Sequence, residues 1–586
     1  MHPILNVKEI PAKSMKKFKF LLLLSLFLTA KSIFSQDNPH ANELVTEYLE
    51  PTRMLWKVGV VKNEMRLLKK RTGQADLSNI DMCTIENKKG EKGSILLDFG
   101  KELQGGVQIV TGIWSGNKPI KIRLRFGESA SEAMSEIDGK GGATNDHSIR
   151  DFETLLPWLG TAELGNTGFR FVRIDVVDEN VKLVLKEVNA IAKYRNLTYR
   201  GSFNSSDTLL NKIWMTGAYT VQLNMQDYLW DGIKRDRLVW VGDLNPEIAT
   251  INTVFGYNEV VPKSLDFARN TTPLPQWMSG ISAYSMWWII NHRDWYYHHG
   301  DLKYLKEQQS YLGELLKLLI QKIDADGKEK LDGHRFLDWP SSEDPKAIHA
   351  GLQAMMVLSL QAGGDLMLKL GDKIASDNCA EAVSRLKKYL PLTHSAKQAA
   401  ALLSMAKLID AKQADEVISE GGAAKFSTFF GYYMLQAKAN AKNYEDAMQI
   451  IRTYWGGMLN LGATSFWEDF NLDWTKNAGR IDELVPDGKI DIHGAYGEYC
   501  YIGFRHSLCH GWAAGPTPWL TEHVLGISII KPGCKVVQVK PNLGSLTFAE
   551  GTFPTPMGLI KIRHEKRSDG TIKSTIKAPK GVKIIK

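Results

Sequence analysis

Three stretches of this 586-residue sequence combine side chains that could do chemistry. The first, 231–243, runs Asp231-Gly232-Ile233-Lys234-Arg235-Asp236-Arg237-Leu238-Val239-Trp240-Val241-Gly242-Asp243. It packs three acids, three bases and a Trp into thirteen residues. The second, 462–470, carries Glu468 and Asp469 behind small residues and the aromatics Phe466 and Trp467. The third is Ser507-Leu508-Cys509-His510-Gly511-Trp512. Each has a plain structural account when taken singly: a salt-bridged loop, a packing Glu, a capping or core His. Taken together, carboxyl groups on separate segments are what general acid–base chemistry needs, one to give a proton and one to take it. His510 has no partner at metal-ligand spacing, and Cys509 would project elsewhere on either a helix or a strand. No metal site is expected there.

Three successive regions, of β, helical and again β periodicity, must position these stretches. From 93 to 199 the pattern is β. Runs at 95–100 and 105–110 are separated by Gly-rich sequence, and 120–126 alternates strictly, as a half-buried strand does. Short alternating strands with Gly-rich turns suggest a sandwich. From about 200 the spacing becomes helical, with Ser206 or Asp207 able to cap a helix bearing Leu210, Ile213, Trp214 and Val221. Further helices are expected at 302–323, 351–370, 396–409, 429–439 and 444–453. Amphipathic helices over this length without a short repeat fit a closed double ring better than a solenoid. Function belongs on the long loops between them. The β signal returns from 527 to the end, and 36–92 stays unassigned.

The length implies two to four domains, and the 44% hydrophobic and 24% charged fractions are those of a soluble globular protein. Sixteen Trp and nineteen Tyr suit stacking on sugar rings, and equally a large core. The formal charge of +8 is scattered, with no basic stripe and no nucleic-acid motif. The start reads as a leader at 1–35: Lys16, Lys17 and Lys19 precede an apolar run from Phe20 to Thr29, with Ser35 at the cleavage position before Gln36. A periplasmic or secreted protein with no membrane span after leader removal is expected. Five cysteines without CxxC spacing argue against a disulfide framework or a zinc site.

The three stretches together resemble glycoside hydrolase family 78 α-L-rhamnosidases. The likeness begins at Gly201-Ser202-Phe203 with Asp207, Leu210 and Trp214. It continues through the 231–243 loop, the segment from Trp277 to Asp301, 462–469 and 507–510, and ends in 539–558. It covers most of 95–570 in order. The resemblance implies an N-terminal β-sandwich at 93–199, a central (α/α)6 barrel at 200–525 and a small C-terminal β-sandwich at 526–586. It implies exo-acting, inverting release of terminal α-L-rhamnose from an oligosaccharide or polysaccharide, without a cofactor. Asp236 aligns with the general acid and Glu468 with the general base. Asp231, Arg235, Trp240, Asp243 and His510 align with residues that hold the sugar. Trp277, Trp288, Trp295 and Trp339 are candidates for the aromatic wall. The loop departs from the family pattern: it is one residue shorter, with Asp236 where many relatives have Glu and Ile233 where proline is common. Two other readings stay open: a lyase or hydrolase for another deoxysugar or a uronate, and a glycan-binding relative that lost the reaction.

Overall fold

A computed structural model describes residues 42–70, 72–88, 90–392 and 396–586. The expected leader lies outside the described residues. Among those residues, no helix is long and apolar enough to cross a membrane.

The N-terminal part is one antiparallel sheet. Its order is Val60–Lys62, Cys83–Asn87, Val181–Arg195, Ser94–Thr111, Thr161–Val176, Ile120–Gly127 and Asp151–Leu156. Leu44–Leu49 pairs with Val181–Arg195, and Arg53–Val58 pairs with Ser94–Thr111. The described residues of the unassigned segment 36–92 thus supply four strands. They are short, and Leu44–Leu49 buries none of its residues fully, so its alternation is faint in the sequence. By contrast, Ile120, Ile122 and Leu124 are buried while Lys121 and Arg123 are only half-buried, the pattern a one-sided strand requires.

The runs at 95–100 and 105–110 are one strand, Ser94–Thr111, and not two. Its register shifts between Asp98 and Leu103 and again between Gly105 and Val107. Gly105 makes this bend possible: its φ is +141°, and a Cβ there would sit 1.9 Å from the Ile191 carbonyl oxygen.

The middle is helical. Asp207 caps Thr208–Asn224, its Oδ1 accepting the Leu209 and Leu210 amides at 2.9 and 3.2 Å. Such a cap contributes about 1 kcal/mol. Leu210, Ile213, Trp214 and Val221 all face inward. The helix expected from 351 starts earlier, at Pro345, because Asp344 caps it and proline suits a first helical turn. The helix expected to stop at 453 runs on to Asn460. Its Gly456 and Gly457 lie against Leu209 and Phe470, where a Cβ would crowd both at 3.2 Å.

Thr208–Asn224 packs on Leu244–Val254, which packs on Ser282–His299, and then on through Pro345–Lys369, Lys397–Met405 and Gly431–Asn440 to Pro516–Trp519. That last short helix packs back on Thr208–Asn224. Leu302–Gln321, Lys373–Leu386, Ala411–Ser419 and Tyr444–Asn460 each pack against members of this series.

Two small sheets close the chain. Phe548–Thr555, Gly558–Lys566 and Ile572–Lys577 form an antiparallel set, and Ile527–Lys531, Val536–Val539 and Lys583–Ile585 form the other. Ser202–Ser205, expected within the helical part, is a strand paired with Phe548–Thr555. Its alternating burial, with Phe203 and Ser205 inside, leaves backbone groups that only a neighbouring strand satisfies.

Candidate active site

A cavity of about 320 Å³ gathers residues from all three chemical stretches. Asp231, Arg235, Asp236, Trp240 and Asp243 come from one loop, Glu468 from the second stretch, and His510 and Trp512 from the third. The loop is held by its own carboxylate: the Asp231 amide donates to the Leu238 carbonyl at 3.1 Å, and Asp231 Oδ1 accepts the Leu238 amide at 2.8 Å. The second and third stretches are stitched together by backbone. Glu468 N–H donates to the Ser507 carbonyl at 3.0 Å, and His510 N–H to the Phe466 carbonyl at 2.9 Å. The Gly511 amide reaches the Asp231 carbonyl at 2.8 Å, which ties the third stretch to the first.

Asp236 sits at a backbone inversion. Both Asp236 and Arg237 have φ of 57°. A non-glycine residue in this region costs roughly 1–3 kcal/mol, and such strain clusters at functional sites. The inversion aims a short side chain into the cavity. There Asp236 Oδ2 accepts Trp240 Nε1–H at 3.1 Å, and Oδ1 lies 3.3 Å from His147 Nδ1.

Glu468 is buried, and both its oxygens are engaged. Oε1 accepts from Arg235 Nη2 at 2.7 Å, and Oε2 accepts the Ser507 amide at 3.1 Å. Arg235 stands between the two carboxylates, its Nε 4.0 Å from Asp236 Oδ1. Burial disfavours its charge, but Glu468 and Asp236 more than offset this and raise its pKa. Its guanidinium also lies over the Tyr501 ring, 4.8 Å from the centroid.

Asp243 Oδ1 accepts the Tyr284 hydroxyl at 2.7 Å. Burial, and then neighbouring carboxyls, push Asp231 and Asp243 well above the usual carboxylate range. Glu247 behind them is raised in the same way. Burial pulls His510 down to about 4, so it is a neutral imidazole. Its Nε2 is 3.6 Å from both Asp231 Oδ2 and Glu468 Oε1, too far for hydrogen bonds and well placed for a shared third partner.

Of the four aromatic-wall candidates, Trp339 alone lines the cavity, its Nε1–H donating to Tyr501 Oη at 2.5 Å. The other three are corrections. Trp288 is fully buried with its Nε1–H on the Leu265 carbonyl, and Trp295 is buried against His299. Both occupy inward positions of the helix Ser282–His299, where large apolar rings are core. Trp277 donates to Asp332 and packs against Gly333, and it does not line the cavity.

The sequence reading missed His147, Tyr284, His334, Phe336, Tyr501 and Arg505, which also line the cavity. Tyr501 and Arg505 lie within ten residues of His510, which is a signal of proximity. His147 belongs to the N-terminal sheet region and gives no local signal, since its neighbours in space are remote in sequence.

Among the described residues, one group, Glu128, Glu132 and His493, has ligand atoms close enough to hold an ion. The Lys234 ammonium already sits there, 3.0 Å from Glu128 and 3.3 Å from Glu132, and supplies the positive charge.

The sheet, the helical middle and the small C-terminal sheets are the architecture of a solved rhamnosidase. A GH78 family rhamnosidase of Bacillus sp. GL1 superposes with a TM-score of 0.71 at 20% identity, over 90% of this chain and 55% of that one. A Klebsiella oxytoca rhamnosidase solved with rhamnose bound gives 0.62 at 17% identity, over 82% of this chain and 96% of its own. In sequence, the bacterial alpha-L-rhamnosidase six-hairpin glycosidase domain matches residues 198–360, and the bacterial alpha-L-rhamnosidase C-terminal domain matches 526–585. An alpha-L-rhamnosidase of Alteromonas sp. (strain LOR) is 25% identical over 557 residues, covering 84% of this chain and 56% of that protein. Over these segments the chain is similar to bacterial α-L-rhamnosidases, and its fold is that of solved glycoside hydrolase family 78 rhamnosidases. It spans about half the length of the curated relatives it matches.

Proposed function

We propose that this protein is an exo-acting, inverting α-L-rhamnosidase, with Asp236 as general acid and Glu468 as general base. One observation carries the reading: two carboxylates from segments far apart in sequence line one sugar-sized cavity on either side of Arg235. Asp236 gives its proton to the glycosidic oxygen as the bond to the anomeric carbon breaks. Glu468 takes a proton from the water that attacks the opposite face. A carboxylate offers about four lone-pair sites. Arg235 and Ser507 use two of those on Glu468, so acceptor capacity remains for that water. Inverting enzymes hold their carboxyl groups roughly 6.5–9.5 Å apart to admit the water, and an intervening guanidinium suits such a gap.

Asp231 and Asp243, whose carboxyl pKa values burial raises, line the cavity where they can hydrogen-bond sugar hydroxyls. Neutral His510 has the same capacity, while Trp240 and Trp339 supply flat faces for the ring. The cyclic packing of the helices supports an (α/α)6 barrel with the cavity at its mouth. The Lys-rich start and apolar run support export, with a mature chain beginning near Gln36; an intact leader on protein from the native host would refute this.

Incubation with a panel of rhamnosylated glycans should release free rhamnose, and proton NMR should show the β anomer first. Release of the α anomer first would refute inversion, and no release from any rhamnoside would refute the activity. An unsaturated product absorbing in the ultraviolet would indicate a lyase.

A further inference from the structure

The 231–243 loop contains a base that the chemistry above does not use. Lys234 turns away from the cavity and is buried. Its Nζ donates to the carbonyls of Phe504 and His506 at 2.9 and 2.6 Å and reaches Glu128 and Glu132 at 3.0 and 3.3 Å. Both glutamates come from the N-terminal part of the chain. Glu128 directly follows the strand Ile120–Gly127, and Glu132 lies in the short helix Ala130–Met134.

Glu128 is fully buried and has a second set of partners. Its Oε2 accepts the Leu508 amide at 2.6 Å and its Oε1 the Ser507 hydroxyl at 3.2 Å. Ser507 is the residue whose amide holds Glu468 Oε2 and whose carbonyl accepts the Glu468 amide. One carboxylate therefore touches the backbone that orients Glu468 and the side chain that anchors the loop bearing Asp236. Around it, Glu132 Oε2 accepts the Glu128 amide at 2.8 Å, and Arg150 Nε lies 3.6 Å from Glu132 Oε1. His493 bridges Ser129 Oγ, at 2.7 Å, and the His506 carbonyl, at 2.9 Å.

We propose that Glu128 and Lys234 form a buried clamp through which the N-terminal sheet sets the placement of Glu468 relative to the Asp236 loop. The clamp touches neither substrate nor reacting atoms, so both are positioning residues. The inference rests on the roles given above to Asp236 and Glu468. Its physical basis is that a buried ion pair whose carboxylate also accepts the Leu508 amide and the Ser507 hydroxyl is held in one low-energy geometry. A displacement of about 1 Å in a catalytic group can cost about a hundredfold in rate.

The test uses the full chain with Glu128→Gln and the charge-balanced double variant Glu128→Gln/Lys234→Met, the second guarding against misfolding from one unpaired buried charge. On rhamnosides with good and poor leaving groups alike, kcat should fall by about tenfold or more while KM stays within about threefold, the split expected when only transition-state placement is lost. Amides of 504–510 should exchange hydrogen about tenfold faster in both variants. A folded double variant with wild-type kcat would overturn the clamp, as would a lowered Tm with unchanged kcat per folded molecule or unchanged exchange at 504–510. A wild-type protein inactive on every rhamnoside would instead refute the proposed function, and the exchange measurement would still decide the clamp.

Discussion

Replacing Asp236 with Asn separates the two carboxyl roles by leaving group. The substitution keeps size and shape. An amide oxygen can still accept Trp240 Nε1–H, now at 3.1 Å, and the NH2 can face His147 Nδ1, now 3.3 Å from the carboxylate. The side chain should therefore stay in place and lose only its proton. General acid catalysis contributes roughly 10²–10⁴-fold, which is about 2.7–5.5 kcal/mol of barrier. Asp236→Asn should lose that much on a natural glycan, whose alkoxide leaves poorly unaided. On a nitrophenyl rhamnoside it should retain most of its rate, because the phenolate departs without a proton. Glu468→Gln should damage both substrates alike, since water must be activated whichever group leaves. Initial rates at saturating substrate, from released rhamnose in one case and nitrophenolate absorbance in the other, give the ratio for each variant. Equal losses on both substrates in both variants would refute the division of labour. Full activity of Asp236→Asn on the glycan would move the acid to Asp231 or Asp243.

Three further outcomes are expected. Gly242→Ala places a Cβ 2.3 Å from the Tyr284 ring, so the ring must swing and release Asp243. An unpaired buried group costs about 1–3 kcal/mol, and rhamnose binding by calorimetry should weaken by about five- to a hundredfold; unchanged affinity would exclude Asp243 from the sugar site. Trp288→Ala should cost about 3–5 kcal/mol of stability in urea with kcat/KM per folded molecule unchanged, because Trp288 is core; a selective rise in KM would return it to the pocket wall. Burial pushes the Asp338 carboxyl up to about 6, against about 3.9 in an unfolded chain. The folded chain then keeps a proton the unfolded chain releases, so stability falls as pH rises from about 4 to about 6, by roughly 3 kcal/mol. Asp338→Asn should flatten that part of the urea-midpoint profile, and an unaltered slope would refute the assignment.

The local order of this protein is written in its sequence. Strict alternation at 120–126 became the strand Ile120–Gly127, and Asp207 ahead of a helical apolar face became the cap of Thr208–Asn224. These features depend on neighbours within a turn or a strand, so periodicity and capping chemistry are enough to determine them. The loop 231–243 and the stretches around Glu468 and His510 could be picked out because they concentrate polar groups that a plain core or surface does not need.

Other features depended on distant partners. Ser202–Ser205 is a strand because Phe548–Thr555 lies beside it. Trp288 and Trp339 are chemically alike, yet one fills the core and the other faces the cavity, since helix packing decides which side of each segment is covered. His147 reaches Asp236 from a different part of the chain, and Glu128 reaches Ser507 across 379 positions. Which side chains were on hand for acid–base chemistry was a matter of chain composition alone. Their spacing, burial and protonation came from the tertiary structure, because electrostatic interaction depends on distance through space and on exclusion of water, neither of which is a property of chain order.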